Sequence, residues 1–144
     1  MLFGIGTDLC GCDRMARCLQ SPAFAARVFS AQEQALLASR TGKARAETAA
    51  ANFAAKEAFL KAAGTGLGGF ALAELSFLRE KSGRPVFAPS GRAAAWCAER
   101  QMRVQVSLTH EKGLAAAFVV LELPQAPPAC PPLAPPAKNC QHSD

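Results

Sequence analysis

One alanine-rich segment, NFAAKEAFLKAAGTG at residues 52–66, constrains the fold of this chain most strongly. Its spacing predicts a long helix with apolar side chains on nearly every side, which is typical of a helix packed inside a fold. Three charged residues, Lys56, Glu57 and Lys61, nevertheless interrupt the apolar pattern. Because a buried charge is costly without a counter-charge and hydrogen bonds, a helix of this kind rarely keeps charged residues for packing alone.

The rest of the chain predicts an α+β layout, a small antiparallel sheet around one long central helix. That helix is predicted over residues 47–63, roughly 25 Å at the usual rise per residue, and Gly64 ends it. The SAQE capping box, Ser30–Glu33, predicts a further helix because its two side chains satisfy the first free N–H groups. The segment TGKAR, before the long helix, is interpreted as a basic loop. The other predicted elements are strands at 2–8, 75–80, 85–88, 103–109 and 114–123, a broken helix at 13–20 and 24–29, and a helix from Ser90 to about Arg100.

Length and composition indicate the number of domains and the general class of protein. The chain has 144 residues, half of them hydrophobic, which is enough for one domain with its own core. Seven of its ten prolines lie in residues 124–144, so we predict a folded domain over residues 1–123 and a disordered Pro-rich tail. No apolar run approaches the roughly 18 residues that span a bilayer. With no secretory signal at the start, we expect a cytoplasmic protein with free thiols and no membrane contact.

The opening motif GIGTDL places an acidic residue after a short strand. It is not a dinucleotide fingerprint, because Leu9 stands where the third glycine belongs. What remains is Asp8, flanked by small residues that let other groups approach the backbone. One interpretation is a helix N-cap or turn aspartate. The other is that Asp8 and Glu57 meet beside Lys61 and bind Mg²⁺ with a phosphate ligand, although Glu57 and Lys61 also have the spacing of an ordinary surface pair.

A second candidate site lies at SLTH, residues 107–110, near the end of a predicted strand. A lone histidine is often structural, and that alternative stays open for His110. Together with Thr109 and with Lys43 and Arg45 of the basic loop, however, His110 has the chemistry of a second phosphate pocket.

These segments together resemble the holo-[acyl-carrier-protein] synthases, the small bacterial family of 4′-phosphopantetheinyl transferases. GIGTDL is similar to the opening strand of that family, NFAAKEAFLKAAGTG to its signature helix, and SLTHEKGLAAAFVVLE to its closing strands. The resemblance covers residues 1–123. It implies an enzyme that moves phosphopantetheine from coenzyme A to a serine of an apo acyl carrier protein in fatty acid biosynthesis, releasing adenosine 3′,5′-bisphosphate.

The resemblance also implies roles for individual residues. Asp8 and Glu57 would bind the Mg²⁺ that bridges the diphosphate of coenzyme A, and Lys61 would neutralise charge on the phosphate oxygens. Glu57 would help to take the serine proton, directly or through a metal-bound water. The residues expected at the rest of the coenzyme A site, above all at its 3′-phosphate, are Lys43, Arg45, Gly64, Thr109 and His110.

The family is usually a homotrimer with active sites between subunits, which would bury one more face of the long helix. Its carrier proteins are acidic, and residues 9–45 carry six basic against two acidic side chains. Arg14, Arg17 and Arg27 are therefore the predicted docking residues for the carrier, through contacts that salt weakens.

Two departures from the family pattern stand out. Asn52 replaces a common arginine, and Gly11 with Cys12 replaces a Glu-hydrophobic pair, so a phosphate contact and a third acidic metal contact are both in question. Two alternatives in function also remain: the same chemistry on a polyketide or other specialised carrier, or a non-catalytic basic binding module. The second lacks the interleaved aromatics of nucleic-acid binders, since the chain has one Trp and no Tyr.

Overall fold

The computed structural model describes residues 1–125 of the chain. Most of the proposed tail, from residue 126 onward, lies outside the described residues. The elements, in chain order, are β1 (Leu2–Gly11), α1 (Cys12–Cys18), α2 (Pro22–Val28), α3 (Ala31–Ala38), α4 (Gly42–Ala63), a 3₁₀ turn (Leu72–Glu74), β2 (Leu75–Arg79), β3 (Pro85–Pro89), α5 (Gly91–Glu99), β4 (Arg103–Glu111) and β5 (Leu114–Glu122).

The strands form two antiparallel groups. β5 lies between β1 and β4 in a three-stranded sheet, while β2 and β3 pair as a separate hairpin. The register places Asp8 opposite Ala117 on β5, and His110 of β4 opposite Ala115. The predicted α+β class is therefore confirmed. No helix within residues 1–125 combines the length and the apolar character needed to cross a bilayer.

The long helix α4 packs across β1 and β5, and glycines make this approach possible. A Cβ atom on Gly4 would clash with the carbonyl oxygen of Ala62, and one on Gly6 with that of Ala58. Only glycine fits where a strand backbone lies directly against a helix backbone. The small residues of GIGTDL thus bring β1 against the alanine face of α4, which carries Asp8 toward the same helix.

Two predicted boundaries were wrong. The long helix begins at Gly42 rather than near residue 47, so the segment TGKAR is its N-cap and first turn and not a loop. Lys, Ala and Arg are good helix formers, and the turn that they make continues the helix without a break. The strand β1 extends to Gly11, beyond the predicted end at Asp8, because its last residues pair with the start of β5.

The capping predictions held to different degrees. Ser30 and Glu33 form the full capping box, with Ser30 N donating to Glu33 Oε2 (3.0 Å) and Glu33 N donating to Ser30 Oγ (3.2 Å). Ser90 is the N-cap residue of α5 as predicted, but its side chain makes no capping hydrogen bond.

Candidate active site

The carboxylate of Asp8 lies against α4 and pairs with a lysine from that helix. Residues of β1 alternate in exposure, and Asp8 is on the same side as the buried Gly6 and Cys10, toward the helix. Lys61 Nζ donates to Asp8 Oδ1 (2.8 Å) and to the Thr7 carbonyl oxygen (2.9 Å). The side chain of Lys61 is 56% exposed and that of Asp8 20% exposed, so the pair is open to solvent on one side.

Glu57 lies one turn before Lys61 on α4 and is half-buried. Burial raises the pKa of its carboxyl group, and the negative charge of Asp8 raises it further, while Lys61 and Arg14 act in the opposite direction. Glu57 thus lies within electrostatic range of Asp8 and Lys61, and its spacing of four residues from Lys61 places the two on the same side of α4. The structure thus brings together the three residues that the sequence pointed to, and Lys61 forms its ion pair with Asp8 rather than with Glu57.

The donor set suits a hard divalent cation. Asp8 and Glu57 are two carboxylates whose charges repel each other, and an ion between them would relieve that repulsion. Mg²⁺ is typically held by one or two carboxylates, with phosphates and waters completing its shell. Residues 1–125 contain no cluster of three or more His, Cys, Asp or Glu side chains. The residues present therefore fit Mg²⁺ shared with a phosphate ligand better than a metal bound by protein alone.

Lys56 is directed away from this site, which the sequence pattern did not reveal. Its side chain is fully buried, and Nζ donates to Glu33 Oε2 (2.6 Å) and to the carbonyl oxygens of Leu72 (2.8 Å) and Leu75 (2.7 Å). Burial lowers the pKa of Lys56, and the charge of Glu33 offsets part of that effect. Lys56 therefore ties α4 to α3 and β2 and takes no part in the open carboxylate site.

Asn52 is buried on the same side of the helix. Its Nδ2 donates to Glu33 Oε1 (3.0 Å) and to the Phe77 carbonyl oxygen (2.7 Å), and its Oδ1 accepts from Arg79 Nη2 (2.9 Å). Asn52 is thus too buried to contact a ligand itself, but it is hydrogen-bonded to Arg79, which lines a cavity at the surface.

A second cluster surrounds His110. Glu47 Oε1 lies 3.5 Å from His110 Nδ1 and 3.5 Å from Lys43 Nζ. The adjoining cavity of about 330 Å³ is lined by His110 together with Arg40 and Arg79. The other residues lining it are Glu47, Thr48, Ala51, Gly83, Pro85 and Leu108. Sequence inspection had singled out neither arginine, since they come from distant segments and neither belongs to a motif.

The remaining predicted coenzyme A residues are placed differently. Thr109 is exposed next to His110 on β4, and Gly64 is the left-handed C-cap of α4 (φ 71°), beyond Lys61. Arg45 is exposed on the first turns of α4 and borders a groove with Leu19 and Gln20, which directly follow α1. Arg45 is thus not among the residues that line the cavity beside His110.

The three predicted docking arginines are all exposed on the first two helices. Arg14 lies on α1 with its guanidinium 5.8 Å from the ring centre of Phe53, and its charge lowers the pKa of Glu57. Arg17 is in the last turn of α1, and Arg27 in the last turn of α2. Arg14 therefore places positive charge beside the carboxylate site itself.

Where β1 and β5 form it, the face of the sheet opposite α4 is largely apolar and exposed. Large side chains from β1 and β5 remain open on it, including Ile5 (57% exposed), Leu9 (66%) and Phe118 (46%). Ile5 is paired with Val120 across the strands, and Leu9 with Ala116, so these residues form one continuous surface. A contiguous apolar patch of this kind on a folded domain typically marks an interaction site. We call it the outer sheet face.

Comparison with known proteins places this chain in a family. The family model described as the 4′-phosphopantetheinyl transferase superfamily matches residues 4–119. The chain is 37% identical over 124 residues to a holo-[acyl-carrier-protein] synthase of Lachnoclostridium phytofermentans, covering 85% of this chain and 98% of that protein. It is 42% identical over 130 residues to a protein of the same name from Methylobacterium radiotolerans, covering 85% and 94%.

Solved structures agree in fold. The crystal structure of holo-[acyl-carrier-protein] synthase from Neisseria meningitidis superposes with a TM-score of 0.76 at 32% identity, over 85% of this chain and 99% of that one. The enzyme from Bacillus anthracis, solved in complex with coenzyme A (3′,5′-ADP), gives a TM-score of 0.74 at 30% identity, over 86% and 99%. The chain belongs to the 4′-phosphopantetheinyl transferase superfamily, among its holo-[acyl-carrier-protein] synthases.

Proposed function

We propose that this chain performs the reaction of its family at the site formed by Asp8, Glu57 and Lys61. It transfers the 4′-phosphopantetheine group of coenzyme A to a serine of an apo acyl carrier protein and releases adenosine 3′,5′-bisphosphate. The observation that carries this proposal is the ion pair of Asp8 and Lys61 on the open side of α4, with the carboxylate of Glu57 one helical turn from Lys61 and within electrostatic range of both. Phosphoryl transfer depends on positioning and charge neutralisation, and these groups supply both.

In this proposal Asp8 and Glu57 hold Mg²⁺, which would neutralise charge on the diphosphate of coenzyme A. Lys61, whose Nζ donates to Asp8 Oδ1 at 2.8 Å, would neutralise the phosphate oxygens on the same side. Glu57 accepts the proton of the carrier serine.

We assign the cavity beside His110 to the nucleotide end of coenzyme A. His110, Arg40 and Arg79 line it, and Lys43 approaches it through Glu47. Thr109, Gly64 and Arg45 remain proposed contacts on the resemblance alone. Glu47 precedes Glu57 by ten residues on α4, about 15 Å along the helix axis, so within one chain the cavity and the carboxylates are separate clusters.

We further propose that a homotrimer brings these clusters together, with the cavity of one subunit facing the carboxylates of the next. The outer sheet face supports this assembly, because an exposed apolar surface that includes Ile5, Leu9 and Phe118 would be covered by a neighbouring copy. Arg14, Arg17 and Arg27 are then the docking residues for an acidic carrier, since all three are exposed and Arg14 is beside Glu57. The four cysteines within residues 1–125 are free thiols, which supports a cytoplasmic reaction.

The decisive experiment is a mass assay. Purified protein, coenzyme A, Mg²⁺ and an apo acyl carrier protein should yield a carrier that bears phosphopantetheine, and a chelator should abolish the product. Asp8→Asn and Glu57→Gln should lower the rate by about 10²–10⁴-fold with folding intact. Glu99→Gln, which changes an exposed carboxylate on α5, is the matched control and should retain the rate. Unchanged turnover by the Glu57 variant would refute the proposed mechanism.

Mixing two inactive variants tests the shared site. If the cavity and the carboxylates come from neighbouring subunits, His110→Ala and Glu57→Gln chains refolded together should recover activity. Random mixing around a symmetric ring leaves about one site in four with both parts intact. A mixture as inactive as its components would place both clusters within one chain and contradict the shared arrangement.

A further inference from the structure

A buried polar cluster connects the core of the protein to the cavity beside His110. At its centre is Glu33, whose carboxylate accepts from Lys56 Nζ (2.6 Å), Asn52 Nδ2 (3.0 Å), Ser30 N (3.0 Å) and Phe77 N (3.0 Å). Glu33, Asn52 and Lys56 are each fully buried. A carboxylate with this many donors is held in one orientation, and so are the side chains that it binds.

Asn52 connects this buried cluster to Arg79 and fixes the position of the Arg79 guanidinium group. Both amide hydrogens of Asn52 are used, one by Glu33 Oε1 and one by the Phe77 carbonyl oxygen. The amide oxygen is therefore directed the other way, and it accepts from Arg79 Nη2 at 2.9 Å. Since an amide with both donors engaged has only its oxygen to offer, the position of the guanidinium is set by Asn52.

The positive charge of Arg79 has no acidic partner within the cluster. Glu33 is matched by Lys56, while the partners of Arg79 are the neutral oxygens of Asn52 and Leu78. Burial lowers the pKa of Arg79, and the like charge of Arg40 lowers it further. Within residues 1–125, neither Arg40 nor Arg79 forms an ion pair, and the buried Nε of Arg40 has no hydrogen-bond partner.

Two cations at one cavity without a counter-charge indicate an anionic ligand. The carboxylate of Glu47 also lines the cavity, but it lies beside Lys43 and His110. A terminal phosphate monoester carries nearly two negative charges at neutral pH, whereas each phosphate of a bridging diphosphate carries about one. Two guanidinium groups match the monoester best.

We propose that Asn52 is a positioning residue that holds Arg79 to bind the 3′-phosphate of coenzyme A, so that this pair selects coenzyme A over 3′-dephospho-coenzyme A. The inference rests on the proposed function and deepens it. It also accounts for the unusual Asn52, because the cation that the family resemblance leads one to expect at this helix position is supplied by Arg79 of β2.

The first test compares two donors. Arg79→Met should raise KM for coenzyme A by about 10–100-fold with little change in kcat, the usual effect of losing a charge-assisted hydrogen bond to a bound anion. Kinetics with 3′-dephospho-coenzyme A should be unaffected. Arg92→Met removes an exposed arginine from α5 and is the control, expected to leave both donors unchanged. An equal loss with the two donors, or no loss with either, would overturn the assignment.

The second test separates positioning from mere structure by a double-mutant cycle. Asn52→Ala should raise KM for coenzyme A in the parent protein and have no further effect on KM in the Arg79→Met background. A structural role alone would give the same effect in both backgrounds and would overturn the positioning role. Should Asn52→Ala fail to fold, Asn52→Ser, which retains a hydroxyl for the vacated partners, takes its place in the cycle.

The outcome for the unmodified protein distinguishes this inference from the proposed function. If it forms product with coenzyme A but shows no preference over 3′-dephospho-coenzyme A, only the inference fails. If it forms product with neither donor, the proposed function itself is wrong.

Discussion

Two lysines on the same helix should respond to the same substitution in opposite ways. Lys56 and Lys61 each pair with a carboxylate at short range, 2.6 Å to Glu33 and 2.8 Å to Asp8. The first pair is fully buried, whereas the Lys61 side chain is 56% exposed. We expect Lys56→Met to destabilise the fold with the open site otherwise unchanged, and Lys61→Met to abolish activity with the fold unchanged.

The magnitudes follow from burial. Lys56→Met leaves Glu33 as a buried carboxylate without its cation and leaves the carbonyl oxygens of Leu72 and Leu75 without their donor. Removing one partner of a buried pair typically costs about 3–5 kcal/mol. The free energy of unfolding of a whole domain is only about 5–15 kcal/mol. For a domain of this size Tm should fall by roughly 10–20 °C.

The exposed pair should matter far less to stability. Solvent-exposed ion pairs contribute about 0.2–1 kcal/mol, so Lys61→Met should shift Tm by only a few degrees. Thermal unfolding followed by circular dichroism measures both shifts, and the carrier mass assay measures both activities. Replacing Glu33 by Gln in the Lys56→Met protein should recover part of the loss, because no unpaired charge then remains buried. Equal Tm shifts for the two lysine variants would refute the reasoning.

Four further outcomes are expected. Phe118→Glu places a charge on the outer sheet face and should convert the proposed trimer to monomers by analytical ultracentrifugation, and an unchanged mass would contradict that interface. Raising salt from about 0.05 to 0.5 M should weaken carrier binding in the parent more than in an Arg14→Ala variant, because screening acts on the lost charge; equal slopes would remove Arg14 from docking. Burial raises the pKa of the Cys10 and Cys12 thiols, so at pH 8 their alkylation should be much slower in the native than in the unfolded protein; equal rates would contradict their burial. Truncation after Leu123 should leave the rate and the assembly intact, and loss of either would show that the tail contributes to them.

Local patterns in the sequence were enough for much of the fold. The capping box at Ser30–Glu33 predicted α3, and Gly64 marked the end of α4, because such signals depend on neighbours in the chain. The start of α4 was missed because a run of Gly, Lys and Arg is compatible with either a loop or a helix. Only the packing of the whole domain decides between them.

The candidate site shows the same division between local and distant information. Motifs and family resemblance pointed to Asp8, Glu57 and Lys61. They did not predict which charged side chains of α4 face the core and which face the open site. A helix that is apolar on nearly every side has no distinguishable inner face, so its pattern alone does not distinguish Lys56 from Lys61, and the family resemblance singled out Lys61. The tertiary structure distinguishes the two lysines. Lys56 lies beside Glu33, a buried carboxylate, whereas Lys61 lies beside Asp8, whose side chain is partly exposed.

By itself, the sequence determined the class of fold, the order of its elements and the family. Only the tertiary structure decided that Asn52 is buried, that Arg79 takes the amide oxygen of Asn52, and that Arg40 joins Arg79 at one cavity. The physical reason is that secondary structure and capping arise from interactions over a few residues. Charge pairing and burial depend on which distant segments meet, and no local pattern records that.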